Sequence, residues 1–435
     1  MSKFIKSTLI LVIGGIITKL FSFVIRIYFT RVIGTEGIGI YSLVMPTYSL
    51  LITITSLGFP IAISALVSRG NIRGKKIVFS TLPVSLILNF LLVIFVIFAS
   101  KFISINLLHN EDTYYPLMAL SLVLPFISIG SILRGYFFGK QQMLPHSLSN
   151  VIEQIFKLLI VLLVLPHLYK YGLIVTICGY ILISILSETM SIIIFLLFLP
   201  KNFKIETKDL KPDLGTIKNV MKIGIPSVSS RIIGNIGYFF EPIILSTVML
   251  SKGFSSLFIT NMYGIYNTYV LGLLLVPTYL QMAISTSLLP EISKNYQNLD
   301  KVKRIFNKTL IFSLILGICA NAFLYLFCDE ILWIVFRTHE GVPYIRFMAF
   351  FFSIFYMEAP INSTLQALGK NAFLMRTTLY GTIIRLLCLF IFAYLRLGMF
   401  ALILAEIINV FVCVLINYTK LMHTIKKRPC LKCTL

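Results

Sequence analysis

The feature that most limits this chain is the recurrence of apolar runs about 20 residues long or longer, the length a helix needs to cross a hydrocarbon core about 30 Å thick. They follow one another along all 435 residues, so that 58% of the chain is hydrophobic and only 12% is charged. The mean hydropathy is +0.93. One soluble core could not hide that much apolar surface, so lipid is the solvent for most of the molecule. Backbone in lipid must satisfy its own hydrogen bonds, and the runs lack a two-residue alternation, so helices are expected rather than barrel strands.

Dividing the runs at charged or Gly/Pro breaks gives twelve spans: 7–33, 38–67, 77–100, 114–134, 143–166, 172–199, 217–249, 257–288, 307–328, 343–367, 372–395 and 398–419. Lys3 and Lys6 ahead of the first run resemble a signal peptide. That run continues past Lys19 and Arg26 without a small-residue cleavage site, so it reads as a retained first helix. The formal charge of +22 has a membrane explanation. The N-terminus, alternate loops and C-terminal tail hold 26 basic residues, against seven on the opposite side (Arg31, Lys101, Lys170, Lys252, Arg337, Arg346 and Arg396). The positive-inside rule then puts both termini in the cytoplasm of a multi-pass cell-membrane protein and makes nucleic acid an unneeded partner.

The chain also repeats itself. Gly39-Ile40-Tyr41-Ser42 and Ala62-Ile63-Ser64 are echoed by Gly264-Ile265-Tyr266-Asn267 and Ala283-Ile284-Ser285. Gly139-Lys140 followed by Ile155-Phe156-Lys157-Leu158-Leu159 is echoed by Gly369-Lys370 followed by Ile383-Ile384-Arg385-Leu386-Leu387. Matches in one order point to a six-plus-six repeat about an axis along the membrane normal. The expected fold is all-α, with about twelve transmembrane helices in two pseudo-symmetric six-helix lobes. The lobes would be 1–200 and 217–435, the second with a short basic tail, joined by a polar cytoplasmic linker over 201–216.

Five bases cannot be placed in loops or at span ends: Lys19, Arg26, Lys157, Arg231 and Arg385. A charge at a helix centre costs about 2.5–3.5 kcal/mol on insertion scales, which makes each a functional candidate. Lys157 has a bland alternative, since Glu153 stands one turn earlier and the two could neutralise each other. Lys19 and Arg26 return to nearly the same face of the first helix beside Ser22 and Thr30, and the seventh span repeats the pattern with Ser227, Arg231, Asn235 and Tyr238. Lobes meeting on such stripes would enclose a wet cationic cavity suited to phosphate or pyrophosphate. Lys19, Arg26, Lys157, Arg231, Asn235 and Arg385 are therefore the expected substrate ligands. Glu153, Glu188, Glu241, Glu358 and Glu406 are intramembrane acids, with Glu358, Asn362 and Gln366 in a stripe of their own. Glu153, Glu241 and Glu358 are the candidates for ion coupling, and a cation or proton as the guest is the alternative they carry.

No catalytic signature is present. Gly135-Tyr136-Phe137-Phe138-Gly139-Lys140-Gln141 approaches a phosphate loop but is one residue short and lacks the Ser or Thr for Mg²⁺. The histidines show no metal spacing. Cys430 and Cys433 form a lone CxxC in the tail, read as a reduced cytoplasmic segment. No cofactor, metal or enzyme activity is expected, and a monomer is the form the reading carries.

Met45-Pro46-Thr47 leading to Ser56-Leu57-Gly58-Phe59-Pro60-Ile61-Ala62-Ile63-Ser64 resembles the second span of the polysaccharide flippases of the stage V sporulation protein B type. So do Arg134-Gly135-Tyr136-Phe137-Phe138-Gly139 with Gln142-Met143 and Glu153-Gln154, Leu289-Pro290-Glu291-Ile292-Ser293, and Leu365-Gln366-Ala367-Leu368-Gly369. The likeness runs over about 7–420. It implies the superfamily of MATE-type multidrug exporters and lipid II flippases, two six-helix lobes around a V-shaped cavity. It also implies a carrier of an undecaprenyl-pyrophosphate-linked sugar or peptidoglycan precursor, as used in sporulation, cell-wall or polysaccharide biosynthesis. Lys19, Arg26 and Arg231 match basic positions of that pattern. Relatives of this type usually have fourteen spans against the twelve counted, which leaves O-antigen-like and teichoic-type carriers open beside lipid II. The alternative within the superfamily is a MATE-type drug or cation antiporter.

Overall fold

A computed structural model describes residues 3–70, 72–200, 212–295 and 298–426. Cys430, Cys433 and residues 201–211 of the expected linker lie outside the described residues. Within them every regular element is helical, and ten continuous helical stretches are long and apolar enough to cross a membrane. The chain forms two compact units, Met1–Phe239 and Phe240–Leu435.

The first unit contains α1 (Lys3–Ser56), α2 (Phe59–Arg69), α3 (Gly74–Phe102), α4 (Tyr114–Ser121), α5 (Leu124–Gly139), α6 (Met143–Tyr169), α7 (Leu173–Leu197) and most of α8 (Leu214–Ser251). The first two expected spans run into one another as α1. Gly34 marks their junction with φ 65° and ψ −171°, a conformation essentially reserved for glycine, so the chain turns there without a loop. Leu57 and Gly58, both with positive φ, reset the chain before α2, whose Pro60 stands in the first turn where its missing N–H costs no bond. Gly70 ends α2 in the left-handed conformation, its N–H donating to the Val67 carbonyl.

Residues from α2, α3, α5, α7 and α8 meet in one core around Phe59, Ile63, Ile77, Phe137, Phe195 and Val220. Small residues set the spacing. A Cβ at Gly139 would stand 2.8 Å from the Ser64 carbonyl oxygen, and one at Gly224 would stand 2.4 Å from that of Leu57. On the outside, Phe98, Leu163 and Leu197 are at least 70% exposed, as lipid-facing side chains are.

The second unit contains the end of α8, then α9 (Ser256–Gly264), α10 (Leu271–Leu274), α11 (Thr278–Lys294), α12 (Leu299–Phe336), α13 (Val342–Phe352), α14 (Glu358–Ala367), α15 (Asn371–Tyr394) and α16 (Phe400–Lys426). The expected continuous span 257–288 is corrected here. A π-helical segment, Ile265–Val270, follows α9, and Pro277 precedes α11, so this stretch descends in short pieces. Proline at that place cannot continue the backbone ladder. The core packs Leu288, Ile292, Phe306, Ile361, Leu365, Val410 and Leu421 from α11, α12, α14 and α16.

Candidate functional site

Most of the charged groups within the helices gather in two clusters, one inside each unit, while Lys19 and Arg231 stand exposed on α1 and α8. In the first unit, Ser22 on α1 donates to Gln154 Oε1 at 3.0 Å, and Gln154 Nε2 donates to Glu153 Oε1 at 3.1 Å. Glu153 lies in the field of Glu188 on α7, with Arg134 and Lys157 as the neighbouring cations. Arg134 is the residue sequence reasoning missed. Placed by charge at a cytoplasmic span end, it is a half-buried member of α5 facing those carboxylates. Its position between Leu133 and Gly135 in an otherwise apolar helix was the available signal.

Lys157 does not turn back on Glu153 as the four-residue spacing suggested. Its Nζ donates to Ser184 Oγ on α7 at 2.9 Å and stands 4.9 Å from the centre of the Tyr180 ring. That ring stacks on Phe29 at 3.7 Å and meets Tyr41 edge-on at 5.7 Å. Arg26 lies in the field of both tyrosines, and Lys157 in that of Tyr41, so the two bases converge on one aromatic patch from α1 and α6. Rings and hydroxyls of this kind steady cations without neutralising them.

Lys19 is exposed one turn before Ser22, and Arg231 is exposed on α8. Asn235 follows Arg231 by one turn and fastens α8 to the second half of α1, donating from Nδ2 to Thr53 Oγ1 at 2.6 Å and to the Ser49 carbonyl at 3.0 Å. That amide is committed to holding helices together, which leaves Arg231 as the charged group of its stripe.

The second unit treats its charge differently. Arg385 on α15 stands between two carboxylates, pairing through Nη2 with Glu241 on α8 and through Nε with Glu406 on α16 at 2.9 Å. Tyr263 also donates to Glu241, at 3.2 Å. Glu241 is 1% exposed. The expectation that Arg385 presents a positive charge to an anion is therefore corrected: two acids share one guanidinium, and the local sum is negative. Glu358 adds to it, lying in the field of Glu406. Asn417 donates to Asn362 at 3.0 Å, and Asn362 donates to Glu358 at 3.2 Å. Glu358 and Asn362 line a cavity of about 320 Å³ with Thr278, Tyr279 and Gln281. Glu406 and Tyr263 were not chosen from sequence as site residues; their partners are more than 20 residues distant in the chain, which no local pattern reveals.

Comparison with known proteins bears on what such a molecule is. The family model described as polysaccharide biosynthesis protein matches residues 4–296, and the model named MatE matches residues 263–395. The chain is 32% identical over 404 residues to stage V sporulation protein B of Bacillus subtilis (strain 168), covering 90% of this chain and 78% of that one. It is 24% identical to the lipid II flippase MurJ of the same organism, over 88% of this chain and 76% of the other. Among solved structures, a multidrug resistance MATE family transporter of the MOP superfamily in an inward-facing conformation superposes with a TM-score of 0.75 at 16% identity, covering 94% of this chain and 96% of that one. A MOP superfamily transporter from Pyrococcus furiosus with a reversed-polarity binding pocket gives 0.64 at 14%, over 97% and 96%. These likenesses show the two-lobe MATE fold. With the family model spanning two thirds of its length and a relative 32% identical over 90% of the chain, this multi-pass helical membrane protein belongs to the polysaccharide biosynthesis protein family.

Proposed function

We propose that the chain is a flippase that moves an undecaprenyl-pyrophosphate-linked oligosaccharide or peptidoglycan precursor from the inner to the outer leaflet of the cell membrane. Both termini are cytoplasmic in this reading, and the product serves cell-wall, spore-cortex or polysaccharide synthesis. The observation that carries it is the set of bases within the helices of the first unit. Lys19 on α1 and Arg231 on α8 are exposed, Arg26 on α1 lies in the field of Tyr41 and Tyr180, and Lys157 on α6 donates to Ser184 beside the Tyr180 ring. A pyrophosphate is the kind of group that repays such charges in lipid, through short charge-assisted hydrogen bonds. The name of the lipid II flippase of Bacillus subtilis supports the same substrate class, and that of stage V sporulation protein B supports a role in sporulation.

The headgroup would be exposed to the two leaflets in turn by alternating access, with 201–216 as the link between the lobes. An inside-negative potential favours outward movement of negative charge by about 2.3 kcal/mol per charge per 100 mV, so transport needs no nucleotide. The bound precursor is the expected partner, alongside membrane lipids. The test is rescue of a flippase-depleted strain by the Lys19→Ala, Arg26→Ala double variant. Loss of rescue at normal protein abundance is expected, and full rescue removes the cationic site.

One observation favours a second reading. Glu358, with Asn362 beside it, opens on its own cavity near the acidic group around Arg385, as a site for a proton or a cation would. A MATE-type cation antiporter would export a cationic dye in a manner abolished by Glu358→Gln, whereas the flippase reading expects no dye export.

A further inference from the structure

A second concentration of basic groups lies toward the start of α8, the helix that carries Arg231 near its middle. Lys222 precedes Arg231 by nine residues, about 14 Å along the axis. It shares a cavity of about 450 Å³ with Arg69, the last residue of α2, with Asn219, and with Leu66, Ile72 and Ile223. The walls of this cavity are fixed. Val220 is buried in the core of the first unit, and Gly224 brings α8 against the Leu57 carbonyl so closely that no Cβ fits between. Gly70 turns the chain away directly after Arg69. Arg69 and Lys222 thus project from two anchored helices into one space.

The nearby carboxylate is already committed. Asp213, just before α8, pairs with Lys76 at 3.1 Å and accepts from the Thr216 hydroxyl at 2.5 Å. Among the described residues neither Arg69 nor Lys222 takes part in an ion pair. The volume falls within the range of small-molecule sites, about 300–1,000 Å³. Its lining is of two kinds: two cations and an amide that suit phosphate oxygens, and three aliphatic side chains that suit the hydrocarbon attached to them.

We propose that this cavity binds a phosphate group borne on a lipid, at the N-terminal part of α8 and lined by none of Lys19, Arg26 and Arg231. Two lipids share that chemistry: an anionic phospholipid such as phosphatidylglycerol, and a polyprenyl pyrophosphate. The site does not depend on transport, so binding is measured without it, and failure of either reading leaves the other standing.

The experiment uses the purified full-length chain in detergent micelles. Two probes are titrated, a fluorescent short-chain phosphatidylglycerol and a fluorescent polyprenyl pyrophosphate, with the corresponding phosphatidylcholine as the neutral reference. The Arg69→Gln, Lys222→Gln variant is expected to weaken at least one anionic probe about 25-fold, since each basic group near an anionic headgroup contributes about fivefold. The Lys301→Gln, Lys303→Gln variant removes the same charge from α12 and is expected to change binding less than about twofold, because exposed charges elsewhere act only through the screened general field. Arg69→Lys with Lys222→Arg keeps the charge and is expected to restore binding. Weakening of the phospholipid alone, of the pyrophosphate alone, or of both identifies the source. Unchanged affinity for both probes in the glutamine variant, or an equal loss in the α12 control, overturns the site.

Discussion

Glu241 keeps only 1% of its side chain accessible, and a carboxylate in such a place stays ionised only beside a cation that answers it. Arg385 does so while also pairing with Glu406, and all three charges become liabilities once the guanidinium is removed. Arg385→Gln is therefore expected to lower stability by about 3–5 kcal/mol, read as a fall in Tm in detergent. Adding Glu241→Gln should recover part of it, because the two sites share one interaction. Asp213 offers a milder and pH-dependent case. The Thr216 hydroxyl first, and Lys76 second, hold its carboxyl below the ordinary value of 3.8. Its contribution is then fully present above that value and disappears as the pH falls through the lower folded value. Protection from hydrogen exchange at the first turn of α8, taken relative to the intrinsic rate at each pH, should be high at pH 5–6 and lower below the ordinary carboxylate range, and in Asp213→Asn it should not change with pH over that range. At this scale the sequence showed which residues carry charge but not what they face. Lys157 had a nearby acid in the chain and instead reached Ser184 and Tyr180 on another helix; Arg385 looked solitary and proved to be shared.

At the scale of the elements, hydrophobic run length recovered eleven of the twelve spans as helix, because in lipid the run and the helix are one requirement. What it could not show was continuity. Gly34 joins two spans within α1 with no loop between them, while 265–277 breaks a span that holds no charged residue to mark the break. Both follow from backbone geometry: a glycine-only torsion in the first case, a π segment and a proline in the second. Gly34→Ala should cost about 1–3 kcal/mol by forcing a side chain into that torsion, with the Tm falling accordingly. Gly15, earlier on the same helix, has open space and ordinary helical torsions and should accept alanine without loss. A larger effect at Gly15 than at Gly34 would contradict this account of the junction.

Taken whole, the molecule divides its intramembrane charge unevenly. The first unit holds Lys19, Arg26, Lys157 and Arg231 beside Glu153 and Glu188 with Arg134, whereas the second holds one arginine among Glu241, Glu358 and Glu406. Matching stripes in the two halves, as the repeat suggested, would have made both cationic. The repeat concerns backbone words such as Gly39-Ile40-Tyr41 and Gly264-Ile265-Tyr266, and charge is free to diverge on such a scaffold. In the flippase reading the bases of the first unit meet the anionic headgroup, and the acids of the second, with Glu358 on its cavity, carry the alternative of a proton or cation guest. The most direct measurement is flipping of a fluorescent undecaprenyl-pyrophosphate-linked sugar in proteoliposomes, read by the fraction of headgroup open to an external quencher. The native chain should equilibrate the probe, and Lys19→Gln with Arg26→Gln should slow it about a hundredfold, from about 1.5 kcal/mol per charge-assisted hydrogen bond. Equal rates for the two, with the protein folded and inserted, would contradict the account.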